Sequence, residues 1–171
     1  MPDSPSPAQV LSDLYAEHFG YVWRTLRRLG AAAADAEDLA QEVFVVVYRR
    51  WADFDQARPL KPWLFGIAYN LVRDHRRRAS TRRERLDVRS DVEVGSVDPD
   101  LRALEARELV YLALQALPEE RRTVFVLYEL DREPMKVIAE TLQIPVDTGY
   151  SRLRVGRVEF RKAVARLQGD A

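Results

Sequence analysis

The sequence predicts an all-α protein made of two small helical domains joined by a flexible linker, on three observations. Apolar residues recur three and four positions apart nearly everywhere, and strand-like alternation is absent. A run of arginines in the middle of the chain gives way abruptly to a run of acids, which marks a boundary. After that boundary the helical period restarts and ends in a pair of helices separated by a short turn, the second rich in arginine.

The elements follow in order. Met1 to Ala8 is Pro/Ser-rich and has no apolar core of signal-peptide type, so residues 1–9 read as a disordered tail. Leu11, Leu14, Tyr15, Phe19, Val22, Leu26 and Leu29 form one stripe, the first long helix. Ala31 to Ala34 make a short connection, and Asp35 is placed to cap a second helix running through Leu39, Val43, Val47 and Trp51. Asp53 to Pro62, with two prolines, is a loop before a third helix containing Leu64, Ile67, Ala68, Leu71 and Val72. The first domain is thus expected over 10–86.

Residues 87–100 hold Asp87, Asp91, Glu93, Asp98 and Asp100 against Arg89 and lack a helical stripe, as an acidic interdomain linker would. The second domain, 101–171, opens with Leu101, Leu104, Leu109 and Leu112 and restarts at Pro118 with Glu119 and Glu120. Val124, Phe125, Leu127 and Tyr128 supply the next helix, Asp131 to Pro134 a polar turn, and Val137, Ile138, Ala139 and Leu142 another helix. Gln143 and Ile144 form a tight turn, and Pro145 opens the last helix, with Leu153, Phe160, Val164 and Leu167 along one side.

Composition narrows function mainly by exclusion. The 171 residues are 47% hydrophobic, enough for buried cores, and carry 27 basic and 27 acidic side chains. Whole-chain charge therefore says nothing about nucleic acid, and distribution has to carry that argument. Without cysteine there are no disulfides or thiolate metal sites, which fits a cytoplasmic setting. His18 and His75 lie far apart, so neither a metal site nor a cofactor is expected. No apolar run approaches a membrane span, and no Ser/His/Asp set or metal-ligand spacing supports a hydrolase or nuclease, so the chain is not expected to be an enzyme.

Three signals remain. The helix pair between Glu133 and Arg166 is a helix-turn-helix candidate: a helix laid in the major groove needs short or basic side chains near its start for base edges and further cations for phosphates. An ordinary packed pair with a solvated basic face fits the same residues. Trp63, Phe65 and Tyr69 precede Arg73, Arg76, Arg77 and Arg78, the combination that single-stranded bases and their phosphates require, although the aromatics also suit a core. Asp35, Glu37, Asp38 and Glu42 form an acidic patch that suits helix capping and, failing that, a basic protein partner.

At this point the chain resembles the extracytoplasmic-function (ECF) sigma factors, small members of the sigma-70 family that retain regions two and four. The resemblance rests on Asp35-Ala-Glu-Asp-Leu-Ala-Gln-Glu-Val-Phe44, on Pro62-Trp-Leu-Phe-Gly-Ile-Ala-Tyr-Asn70 running on to Asp74 and Arg77, and on Leu117, Pro118 and Glu119 leading to Ser151, Arg152 and Leu153. It implies a transcription initiation factor that binds core RNA polymerase and recognises and melts promoter DNA, the polymerase supplying the chemistry. Asp35, Asp38, Leu39, Gln41, Glu42 and Phe44 would dock on the clamp helices of the largest subunit. Trp63, Tyr69, Asn70, Arg73, Arg76, Arg77 and Arg78 would meet the minus-ten element. Thr148, Tyr150, Ser151, Arg152, Arg154 and Arg157 would read the minus-thirty-five element near the polymerase flap. The linker would run through the polymerase interior, and family members are commonly held inactive by an anti-sigma factor. A helix-turn-helix regulator that needs no polymerase is the alternative, but it leaves the acidic patch and the Trp63 to Arg78 helix without a purpose.

The chain departs from the family's usual Leu-Gly-Ile-Pro-x-Gly-Thr-Val-Lys-Ser-Arg-Leu by placing Gln143, Asp147, Gly149 and Tyr150 where Gly, Gly, Val and Lys are usual. Gln143 is expected to take a left-handed conformation that glycine adopts freely, and Gly149 to weaken its helix.

Overall fold

The computed structural model describes residues 7–83 and 101–169, with side chains over 9–79 and 105–169. Every element among them is helical: α1 Pro7–Leu29, α2 Ala33–Arg50, a 3-10 turn Trp51–Asp53, α3 Leu60–Arg83, α4 Leu101–Gln115, α5 Glu119–Phe125, a π turn Val126–Leu130, α6 Met135–Leu142 and α7 Val146–Gly169. The chain divides into two compact units, one built on α1 to α3 and the other on α4 to α7. The expected linker 87–100 and residues 1–6 of the expected tail lie outside the described residues. Residues 7–9 of that tail are helical instead, with Pro7 at the first position, where its missing N–H costs nothing.

Helix α1 ends at Leu29, after which Gly30 takes a φ of 97° and Ala31 N–H donates to the Leu26 carbonyl at 2.9 Å. In the first unit Val22 and Leu26 of α1 are buried, and α2 buries Ala36, Leu39, Ala40, Val43, Phe44 and Val47. Phe44 closes the layer against Tyr15 and Phe19, at ring-centroid distances of 4.8 and 6.5 Å. Helix α3 adds Leu64, Phe65, Ile67, Ala68 and Val72 to the same core.

Three boundaries differ from expectation. Asp35 does not cap α2: the extended cap residue is Ala32, whose carbonyl accepts Ala36 N–H at 3.0 Å, and Asp35 falls within the first turn. The alanines upstream carry the helix back to Ala33, because alanine loses no side-chain entropy on entering a helix. Helix α3 begins at Leu60, so Pro62 lies in its first turn, where no intrahelical donor is required. Trp51 belongs to the 3-10 turn that follows α2.

In the second unit Leu114, Leu117, Val124, Val126, Leu127, Ile138 and Leu153 form the core, and Phe160 of α7 stacks on Phe125 at 4.7 Å. Arg122 donates to the Leu117 carbonyl at 2.9 Å and to Gln115 Oε1 at 2.7 Å, supplying donors to the open C-terminal end of α4. The chain predicted as one helix from Val124 to Tyr128 is α5 running into the π turn, closed by Asp131 N–H on the Val126 carbonyl at 3.1 Å.

The turn between α6 and α7 matches the expectation for Gln143, which adopts φ 54°, ψ 46°. Gln143 N–H donates to the Glu140 carbonyl at 3.3 Å and Ile144 N–H to the Ala139 carbonyl at 3.0 Å, the two bonds of a Schellman ending. Gly149 is buried, and a Cβ there would stand 2.4 Å from Met135 Sδ. The long, flexible Met135 side chain fills the space that a larger residue at 149 would occupy and would have to shift to admit one.

Two stability predictions follow from this geometry. Gln143→Gly relieves a left-handed side-chain residue and should raise unfolding free energy by about 1 kcal/mol in urea titrations. Gly149→Val should lower it by about 1–3 kcal/mol through overpacking, and adding Met135→Ala should recover a large part of the loss, a coupling that a double-mutant cycle measures.

Candidate functional site

Three helix faces carry the candidate chemistry. Burial of Leu39, Val43 and Val47 leaves the other side of α2 in solvent, and there Asp38, Gln41, Val45 and Tyr48 line up at helical spacing with Glu42 beside them. Tyr48 is 61% exposed and Val45 48%, large values for apolar side chains. The face is thus acidic at its N-terminal end and apolar further along, suited to a protein surface that is basic beside a hydrophobic strip.

The residues expected to dock on polymerase do not all share this face. Asp38, Gln41 and Glu42 are exposed, but Leu39 and Phe44 are buried at 3% and 5% exposure and hold the helix in place from inside. Asp35 is turned toward α3, where its Oδ2 lies 3.2 Å from His75 Nε2, tying the start of α2 to the arginine-bearing helix. The sequence reading names Leu39 and Phe44 among the docking residues and does not name Val45 or Tyr48, which share the exposed face with Asp38 and Gln41. Their positions four and seven residues beyond Gln41 were the available signal.

On α3 the helical repeat brings Trp63, Asn70, Arg73 and Arg77 to one side, and turns Arg76 roughly 140° away from Trp63. Asn70, Arg73, Arg77 and Arg78 are exposed, while Arg76 and Tyr69 are half-buried. The Arg73 guanidinium stands over the Tyr69 ring at 5.6 Å, and Arg77 reaches Asp74 at 3.5 Å. Trp63 is half-buried in an aromatic cluster with Phe54 and Trp51, at 4.5 and 6.3 Å. That cluster anchors the loop between α2 and α3, whose turn is fixed by Ala57 N–H on Asp55 Oδ1 at 3.0 Å.

The third face belongs to α7. With Gly149, Leu153, Gly156 and Ala163 buried, Asp147, Tyr150, Ser151, Arg154, Val158 and Arg161 face outward. Tyr150, 52% exposed, therefore stands on the outward face in the lysine position of the family pattern. Thr148 is half-buried at the rim. Arg152 and Arg157 occupy the two shoulders, roughly 100° either side of Ser151, and each meets an acid: Arg152 Nη2 lies 2.9 Å from Glu120 Oε2, and Arg157 Nε 2.6 Å from Glu129 Oε1. The three-residue turn Gln143 to Pro145 between α6 and α7 has helix-turn-helix length.

Among the described residues no group of three or more His, Cys, Asp or Glu could hold a metal ion, and no helix is long and apolar enough to cross a membrane.

The sequence matches the family model for sigma-70 region 2 over residues 14–82 and that for sigma-70 region 4 over residues 107–159. It is 37% identical over 154 residues to the ECF RNA polymerase sigma factor SigL of Mycobacterium tuberculosis, covering 85% of this chain and 84% of that protein. It is 31% identical over 168 residues to SigW of Bacillus subtilis, covering 91% and 87%. Two solved structures share the fold. The sigma factor RpoE of Bartonella quintana, solved with the anti-sigma factor NepR, gives a TM-score of 0.79 at 18% identity over 90% of this chain and 96% of that one. CnrH, solved with the cytosolic domain of CnrY, gives 0.64 at 24% identity over 94% and 89%.

Proposed function

The chain belongs to the ECF sigma factors of the sigma-70 family, and from that membership we propose how its three exposed faces divide the work of directing RNA polymerase to a promoter. Sigma factors of this family bind core RNA polymerase and promoter DNA. The α2 face of Asp38, Gln41, Glu42, Val45 and Tyr48 docks on the polymerase, Leu39 and Phe44 supporting it from the core. The α3 face of Trp63, Asn70, Arg73 and Arg77 takes the minus-ten strand, bases against the aromatic end and phosphates against the arginines. The outward face of α7 reads the minus-thirty-five element in the major groove.

The observation that supports this division best is the exposed acidic and apolar stripe on α2, which repels DNA and has no use in a helix-turn-helix regulator acting without polymerase. On this reading residues 10–86 and 101–171 are the two functional domains, 87–100 the connection between them, and the polymerase performs the reaction without any cofactor from this chain. The solved relatives RpoE and CnrH are seen bound to NepR and to CnrY. We infer an anti-sigma partner for this chain as well, in the cytoplasm where its polymerase resides.

Run-off transcription with core polymerase on a pool of random promoter fragments tests the reading: new start sites should share two spaced upstream elements, and their absence overturns it. Asp38→Lys with Glu42→Lys should weaken binding to core polymerase by about tenfold or more. Arg154→Ala should reduce discrimination within the upstream element by about 1–3 kcal/mol, measured by competition between matched and mismatched duplexes.

A further inference from the structure

The shoulders of α7 present a puzzle of charge. A helix that binds DNA gains affinity from every uncompensated cation facing the phosphates. Yet Arg152 and Arg157 are each held by a carboxylate brought from outside the helix, Glu120 from α5 and Glu129 from the π turn. Arg157 is further fixed over the Tyr128 ring at 5.5 Å. Neither acid belongs to a core: Glu120 is 69% exposed and Glu129 24%. Between the two pairs Arg154 stands exposed on the outward face.

We infer that Glu120 and Glu129 are specificity-determining residues of this DNA face, which subtract charge from Arg152 and Arg157 without removing their ability to donate hydrogen bonds. The inference rests on the reading of α7 as the DNA-reading helix. A guanidinium has five N–H donors, and each carboxylate engages one nitrogen in this arrangement. On this inference the remaining donors meet a base edge or a phosphate. Attraction to arbitrary duplex depends on net cationic charge and counterion release, and it falls when an arginine is neutralised by its neighbour. Recognition of the correct element depends on directional contacts at base edges, which survive. Because arbitrary sites vastly outnumber correct ones in a genome, loss of general affinity at little cost to the specific contact raises the useful ratio. The acids also hold the two side chains in place before DNA arrives, which reduces the ordering required on binding.

The full-length chain is titrated by fluorescence anisotropy into a random-sequence duplex and into a duplex carrying the upstream element selected in the transcription experiment, at salt between ~50 and ~200 mM. Glu120→Gln and Glu129→Gln should each tighten binding to random duplex about two- to fivefold and steepen its log-log salt slope by ~0.9, with a smaller gain on the selected duplex. Glu129→Ala, with the same charge loss, repeats the measurement should the glutamine variant unfold, which circular dichroism reports. Glu105→Gln, which removes one charge from exposed α4, controls for whole-domain electrostatics.

An unchanged ratio between the two duplexes in the Glu120 and Glu129 variants overturns the inference, as does an equal gain from Glu105→Gln. If Arg154→Ala still weakens the selected duplex in that case, the reading of α7 stands and only the inference fails. If neither the wild type nor any variant binds either duplex, both fail.

Discussion

Helix α2 buries Leu39, Val43 and Val47, and everything it can offer a partner follows from which way those three point. A helix in a small domain has one stripe to bury and must leave the opposite stripe in water. Here the buried stripe is closed by the Tyr15, Phe19 and Phe44 rings, so α2 cannot rotate without opening the core. The exposed line of Asp38, Gln41, Val45 and Tyr48 is the geometric consequence. The same reasoning applies to α7, where Gly149, Leu153 and Gly156 face in and so Tyr150, Ser151 and Arg154 face out. On the reading proposed above, function is distributed over the surfaces that packing leaves free.

Electrostatics act on those surfaces at a finer scale. Equal numbers of acids and bases leave the chain without net charge, but they are not mixed evenly. Acids lead α2, arginines crowd the second half of α3, and in the second unit acids of α5 and the π turn are paired with arginines of α7. Arg121 and Glu159 form a further such pair between α5 and α7. Surface pairs of this kind contribute little to stability, since solvent screens them. On the inference drawn above, the weight of the Arg152 and Arg157 pairs lies in setting where each guanidinium stands and how much charge it shows a phosphate.

The departures from the family pattern in the α6 to α7 turn resolve into two different physical situations. Gln143 accepts a left-handed backbone that glycine adopts more cheaply, because the Schellman bonds to Glu140 and Ala139 close α6 only with that conformation. Gly149 is matched by Met135, whose sulfur occupies the volume a larger residue would take. The first is a local strain carried by the turn. The second is a matter of volume shared between two helices, α6 supplying the bulk and α7 the space.

The sequence by itself determined the all-helical class, the order of the helices, the polar turn before α6, the left-handed Gln143 and the family, because helical period, turn chemistry and motif order are local properties of the chain. Asp38, Gln41, Glu42, Asn70, Arg73, Ser151 and Arg154, which it reads as binding residues, lie on exposed surface. Only the tertiary structure decided that Leu39 and Phe44 are core, that Asp35 turns to His75, that Val45 and Tyr48 complete the α2 face, and that Arg152 and Arg157 are held by Glu120 and Glu129. Each of those outcomes depends on what a neighbouring helix brings to within a few ångströms. A pattern read along one helix records which residues share a face; which face is covered, and by what, is settled by packing between helices distant in the chain.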